Sequence, residues 1–288
     1  MPPHRARAIL ITGCSSGIGH HCAHALAARG YRVIASARKA DDVARLQREG
    51  LECIQLDLAA ETSVDQAAAE VLERTGGLLF GLFHNGGYGQ PGAVEDLERP
   101  VLRQQFETNL FGPVQLTRRL LPAMRRAGEG RILVNSSVLG WVALPYRGAY
   151  TATKFALEGL FDTLRLELAN TSVRVVLIEP GPIRSRFREN AWHQFQAHID
   201  AEHSPHRTVY AAMVRRLTRP GPVTPFTLGP EAVTACVIHA LERPRPHAHY
   251  PVTFPSRLFG VLRRLLPTAA LDAILLRVSR NEHRPPPD

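Results

Sequence analysis

Ala8-Ile9-Leu10-Ile11-Thr12-Gly13-Cys14-Ser15-Ser16-Gly17-Ile18-Gly19 is the stretch from which the architecture unfolds. Its first residues form an unbroken apolar run too short for a helix, the pattern of a strand buried on both faces. A glycine loop follows, and after Gly19 the pattern turns helical to about Arg29. Strand, glycine turn and helix in that order bring backbone N–H groups and the positive end of a helix dipole to one place, which is a phosphate site. The spacing Gly13-x-x-x-Gly17-x-Gly19 differs from the common GxGxxG form. The second apolar run, residues 31–37, decides between dinucleotides. An acid near its end would bind a ribose 2′-hydroxyl and repel a 2′-phosphate. This chain has Arg38 and Lys39 there instead. The guanidinium of Arg38 can grip a phosphate, with Ser15 in the loop to help, so NADP(H) is expected over NAD.

The same alternation continues outward. Strands are expected over 52–57, 78–84, 131–135, 172–178 and 249–253, with helices over 41–49, 61–75, 100–124 and 229–241. Continuous apolar strands alternating with helices predict an α/β fold, a single Rossmann-type doubly wound parallel sheet of about seven strands with helices on both faces. That unit spans 1–254. Within it, residues 185–228 are polar, rich in His, Arg and Pro, and lie just past a strand end, the position of a substrate lid. Residues 255–288 form a helical extension. Leu258, Phe259, Leu262, Leu265 and Leu266 share one predicted face, and Thr268 can cap a second helix carrying Leu271, Ile274, Leu275 and Val278. Such a pair suits packing on the domain, a subunit partner or a membrane surface. Residues 284–288 are expected to be disordered.

Chemistry concentrates where the strand at Ile132-Leu133-Val134 runs into Asn135, Ser136 and Ser137 and a helix brings Tyr150 and Lys154. Four residues apart, Tyr150 and Lys154 lie on one helix face, about 6 Å apart along the axis. The ammonium is expected to pull the phenol below its free pKa of about 10, giving an acid–base group near neutral pH. Arginine is this chain's ordinary cation: only Lys39 and Lys154 among 35 basic residues are lysine.

Composition bounds the rest. Hydrophobic residues make up 44% and charged residues 21% of 288, as in ordinary globular proteins. The net charge of +9 fits an anionic ligand or membrane surface as well as an arginine-rich proteome. No basic run interleaved with aromatics makes a nucleic-acid footprint. Cys14, Cys22, Cys53 and Cys236 are irregularly spaced and read as reduced thiols of a cytoplasmic protein. Residues 1–7 are too few for a signal peptide, and no apolar stretch reaches the length of a membrane span. His20 and His24 have the i, i+4 spacing of metal ligands but no evident third ligand in the sequence, so no metal is expected.

Together these motifs resemble the classical short-chain dehydrogenase/reductase family over residues 8–185. Thr12, Gly13, Ser15, Ser16, Gly17, Ile18 and Gly19 match its cofactor loop, Asp57 its adenine-orienting acid, and Asn85-Gly86-Gly87 its Asn-Ala-Gly motif. Asn109, Ser137, Tyr150 and Lys154 match its catalytic tetrad. Pro180-Gly181, with Ile183 and Ser185, matches the nicotinamide-side motif. Phe155-Ala-Leu-Glu-Gly159 is similar to the branch holding 17β-hydroxysteroid and retinol dehydrogenases, and the tail to bacterial NADP-dependent aldehyde reductases. The resemblance implies hydride transfer between NADPH and a carbonyl or alcohol of an apolar aldehyde, retinal or keto-steroid. Tyr150 would act as acid or base, Ser137 would hold the carbonyl oxygen, and Asn109 would anchor a proton relay behind Lys154. It also implies a homodimer or homotetramer built through the helices carrying Asn109 and Tyr150. The other reading is a non-catalytic NADP sensor or scaffold on the same fold. Trp141, Leu144, Tyr146, Phe187 and Trp192 suit an apolar pocket, the core or subunit contacts.

Overall fold

A computed structural model of the chain describes residues 7–221 and 224–283. The apolar runs become strands: β1 (Ala8–Ile11) is buried at every residue, and after the glycine loop comes α1 (Gly17–Ala28). There follow β2 (Arg32–Ala37), α2 (Ala40–Arg48), β3 (Glu52–Gln55), α3 (Glu61–Arg74), β4 (Gly81–His84), α4 (Arg99–Phe106) and α5 (Gly112–Arg126). Next come β5 (Gly130–Asn135), α6 (Gly148–Glu167), β6 (Val173–Glu179), α7 (Phe187–His198), α8 (Arg207–Thr218), α9 (Pro230–Glu242) and β7 (His249–Pro251). Two last helices, α10 (Phe254–Leu265) and α11 (Thr268–His283), complete the chain.

All seven strands are parallel, in the order β3-β2-β1-β4-β5-β6-β7. Alternate side chains go to opposite faces. Leu10, Ile34, Leu82, Ile132 and Leu177 form one core, beneath side chains of α3, α5 and α6. Ile9, Ile11, Val33, Phe83, Leu133 and Val176 form the other, beneath α1 and α9. Each fully buried Leu or Ile contributes about 1.5–3 kcal/mol, so burial on both faces holds strands this short in place. The strand order reverses between β1 and β4, and the loops beyond their carboxyl ends diverge there into a crevice.

Two expectations change, for the long helix and for the tail, and the polar stretch between them gains structure. The single helix over 100–124 is instead α4 and α5 joined by a π-helical turn, Glu107–Phe111. Pro113 explains the wide turn: it has no N–H to give the carbonyl four residues back, which is that of Asn109. The stretch 185–228 is largely α7 and α8, packed on a core of Ala191, Phe195, Tyr210, Met213 and Leu217. Its ends are pinned by a bridge between Ile183 and Leu228, in which Arg184 N donates to Leu228 O at 2.8 Å and Leu228 N to Pro182 O at 3.1 Å. The predicted apolar face of the tail is divided. Phe259 turns inward, whereas Leu258 and Leu265 join Phe254 and Val261 in an exposed stripe. Thr253 caps α10, its Oγ1 accepting from Ser256 N at 3.4 Å, while Thr268 lies inside α11 rather than capping it. Residues 284–288 fall outside the described residues. Among the described residues no helix is long and apolar enough to cross a membrane, and the four cysteines are free thiols.

Candidate active site

The two loops at the crevice are stitched together by side chains. Thr12 Oγ1 accepts from the backbone N–H groups of Asn85 at 3.0 Å and Gly86 at 2.9 Å. Asn85 Nδ2 returns hydrogen bonds to the carbonyls of Thr12 and Gly13, both at 3.1 Å. Gly13 has φ +71°, and a Cβ there would come within 2.6 Å of Gly86 Cα. A Cβ at Gly19 would stand 2.3 Å from Gly13 O and 2.5 Å from Asn85 Nδ2. These glycines are therefore required by close approach. Ser16, the N-cap of α1, makes no side-chain capping bond, and the first turn carries no acid. The first N–H groups of that helix are thus free of any carboxylate and suit an anion such as a pyrophosphate. Ile18 packs on the core and Ser185 approaches Gly17. The departure at Gly86 has a local cause, since a Cβ there would come within 2.8 Å of Leu58 Cδ1.

Past β2, Arg38 is exposed and near enough to Tyr88 for its charge to oppose the burial that pushes that phenol up to about 12. A second cation sits closer to the loop: Arg45 Nη2 donates to Ser15 O at 2.6 Å. Asp57, beyond β3, accepts from Ala59 N at 3.0 Å and caps its own turn. On the other side of the crevice, Gly181 N donates to Thr253 Oγ1 at 3.2 Å, and Pro180 O accepts from Val138 N at 2.9 Å.

Ser137, Tyr150 and Lys154 meet at the end of β5. Lys154 is buried and its Nζ donates to Asn135 O at 2.6 Å, lying 5.4 Å from the Tyr150 ring centre. Asn135 Nδ2 in turn donates to Asn85 Oδ1 at 3.1 Å, tying the lysine's support to the cofactor loop. Ser137 hydrogen-bonds Tyr150. The charge balance reverses the sequence expectation. Desolvation pushes the Tyr150 phenol up to about 12, opposed by Ser137. Desolvation likewise brings the Lys154 ammonium down to about 8, with Glu158 one turn along α6 opposing it. A buried ammonium is itself costly, so it cannot pull the phenol down without help.

Asn109 stands in the π turn with its amide fully engaged. Its Oδ1 accepts from Tyr88 N at 3.1 Å, and its Nδ2 donates to Tyr88 O at 2.9 Å and Thr153 Oγ1 at 3.2 Å. Thr153 passes the link on to Tyr150 O at 2.8 Å. The side chain is thus a bracket.

Of the five residues expected to suit a pocket, Phe187 sits edge-on to Tyr150 with ring centres 5.3 Å apart, and Leu144 packs against the same apolar cluster as Tyr150. Tyr146 and Trp192 belong to the core under α7 and α8. Trp141 lies against α10, where only a glycine at 260 leaves it room: a Cβ there would come within 2.4 Å of the indole. The tail joins this region, with Leu271, Ile274 and Leu275 in one apolar cluster with Leu139, Val142 and Tyr150.

Sequence reasoning missed an acid cluster behind this centre. Glu179 is fully buried, with Oε1 2.6 Å from His249 Nδ1, and Glu158 Oε2 lies 3.7 Å from the same nitrogen. Burial pushes Glu179 up to about 7, and the bond to Glu179 raises His249. Glu158 was legible as the residue one turn after Lys154. His249 was not, because only the β6–β7 pairing brings it there.

Comparison with known proteins agrees with this geometry. The chain is 45% identical over 269 residues to the uncharacterized oxidoreductase YbbO of Escherichia coli strain K12, covering 93% of this chain and 94% of that one. It is 34% identical over 273 residues to human 17-beta-hydroxysteroid dehydrogenase type 1, covering 90% and 80%. A short-chain dehydrogenase from Streptomyces avermitilis superposes with a TM-score of 0.75 at 30% identity, covering 96% and 95%. The pattern of the short chain dehydrogenase family matches residues 7–196. With the family pattern spanning the crevice from β1 to α7 and full-length relatives beyond it, the chain belongs to the short-chain dehydrogenase family of oxidoreductases.

Proposed function

We propose that the chain is an NADPH-dependent reductase of apolar carbonyl compounds, aldehydes, retinal or keto-steroids, running in either direction. The observation that carries this reading is the hydrogen-bonded group Ser137–Tyr150 with Lys154 on Asn135, set beside a glycine cradle that any side chain would fill. Gly13, Ser15, Ser16, Gly17, Ile18 and Gly19 would hold the pyrophosphate side, Arg38 the 2′-phosphate, Asp57 the adenine, and Asn85, Gly86, Pro180, Gly181, Ile183 and Ser185 the nicotinamide side. The bound nicotinamide supplies or takes the hydride. Ser137 holds the substrate oxygen while Tyr150 gives it a proton. A phenol at about 12 reaches a usable range only against cations, and Lys154 Nζ lies 5.4 Å from its ring centre. Pro113 offers no N–H to the Asn109 backbone carbonyl, which is the group suited to hold a relay water.

Exposed Phe111, Phe155 and Leu160 on the π turn and α6 favour assembly into a dimer or tetramer through those helices. The stripe on α10 offers a further surface to a second copy or a membrane.

The test is oxidation of NADPH and NADH against a panel of aliphatic and aromatic aldehydes, retinal and keto-steroids. Turnover with NADPH is expected, and Arg38→Asp is expected to cut the NADPH-over-NADH preference at least about 100-fold by removing the phosphate's fork. Tight NADPH binding with no turnover on any carbonyl would favour the sensor reading.

The site also predicts a pH profile. Lys154 must be charged to assist Tyr150, and it titrates at about 8, whereas Tyr150 stays protonated to about 12. In carbonyl reduction kcat/KM should therefore fall as pH rises through about 8. Glu158→Gln should move that limb to lower pH, since the carboxylate is what keeps the ammonium charged. A limb unmoved by this change would assign it to another group.

A further inference from the structure

The sequence leaves His20 and His24 without a third partner; the fold supplies one. Glu49, just past the end of α2, aims Oε2 at both imidazoles, 2.7 Å from His20 Nε2 and 3.0 Å from His24 Nε2. We propose that His20, His24 and Glu49 form a site for a borderline divalent transition metal, of the kind represented by Zn²⁺ or Co²⁺, on the flank of the glycine loop.

The geometry and the donors support this independently. All three donor atoms lie within 4.8 Å of one another. Donors around a tetrahedral metal at about 2.0–2.2 Å stand about 3.3 Å apart, so the two nitrogens need retreat from the oxygen by only a few tenths of an ångström. Two imidazoles and a carboxylate select zinc-like metals over magnesium or calcium, which prefer all-oxygen shells. The other carboxylate oxygen, Oε1, is already taken by Arg45 Nη1 at 2.6 Å, a fixed outer partner that leaves Oε2 for the metal. The three side chains are between 29% and 39% exposed, and a cavity of about 640 Å³ opens against both histidines, giving room for water in the remaining coordination position. The second candidate, Glu158–Glu179–His249, is less suited, because Glu179 is sealed from solvent.

The test is titration of the untagged, chelator-stripped full chain with Zn²⁺ by calorimetry and with Co²⁺ by visible absorption. One equivalent is expected, with Co²⁺ bands of a four-coordinate site. Since even outer partners of a metal cost about 10–100-fold in affinity when lost, His20→Ala with His24→Ala should weaken binding at least 100-fold, and Glu49→Gln at least 10-fold. His249→Gln and Cys236→Ser should leave it unchanged. All the substituted ligands are on the surface, so an unchanged melting temperature shows that folding is intact. Absence of stoichiometric binding, binding undiminished in the histidine double variant, or loss on His249→Gln would each overturn the assignment.

Discussion

Tyr150→Phe should lower kcat for carbonyl reduction by about a thousand-fold, within the range general acid–base groups contribute, while leaving NADPH affinity and the fold almost unchanged. The ring has its own reasons to stay in place: Phe187 packs edge-on at 5.3 Å, and the ring itself packs against the cluster of Leu139, Val142, Phe259 and Leu275. Only the hydroxyl and its bond to Ser137 disappear. Lys154 is held by Asn135 O rather than by the phenol, so its position survives the change. Removing a buried hydroxyl costs about 0.5–1.5 kcal/mol in stability, partly offset here because the group sat desolvated. Single-turnover kinetics with NADPH, beside fluorescence titration of the cofactor, separate the two effects. Turnover within tenfold of wild type would remove Tyr150 from the chemistry.

Gly19→Ala acts at the other end of the crevice and should destroy cofactor binding. The added methyl would meet Gly13 O at 2.3 Å and Asn85 Nδ2 at 2.5 Å, and neither can step aside. Asn85 is tied to Thr12 O, Gly13 O and Asn135, and Gly13 is itself pressed on Gly86. The loop must open instead, at an overpacking cost of about 1–3 kcal/mol. On the proposed placement the pyrophosphate rests on that loop's backbone, so NADPH affinity should drop at least about 100-fold, near 2.7 kcal/mol. Calorimetric titration with NADPH and a thermal melt check both parts. Wild-type affinity in this variant would place the pyrophosphate elsewhere.

These contrasts show where the sequence was legible. Ala8–Ile11 declared a strand because apolar continuity is a local property, and Gly13 and Gly19 stood out because a close approach excludes every other residue. That Tyr150 and Lys154 share one face of α6 followed from helical spacing, while their catalytic assignment rested on the family resemblance. Their charge states were not legible, since burial is set by distant segments, among them the tail that joins the same apolar cluster as Tyr150. Helices α7 and α8 were hidden by polar composition, although Phe187, Ala191 and Phe195 already repeat at helical spacing. Glu49 could not be matched to His20 and His24 because only the pairing of β1 with β2 folds α2 back towards α1.

The apolar cluster that α11 joins also bears on the order of folding. Leu271, Ile274 and Leu275 come from α11, whereas Leu139 and Val142 lie ahead of α6. Closing so long a loop costs entropy before its contacts repay it. Units built on near neighbours in sequence, such as β1 with α1, can form early, and the tail docks afterwards. Shortening α11 would then loosen this one cluster while leaving the parallel sheet intact.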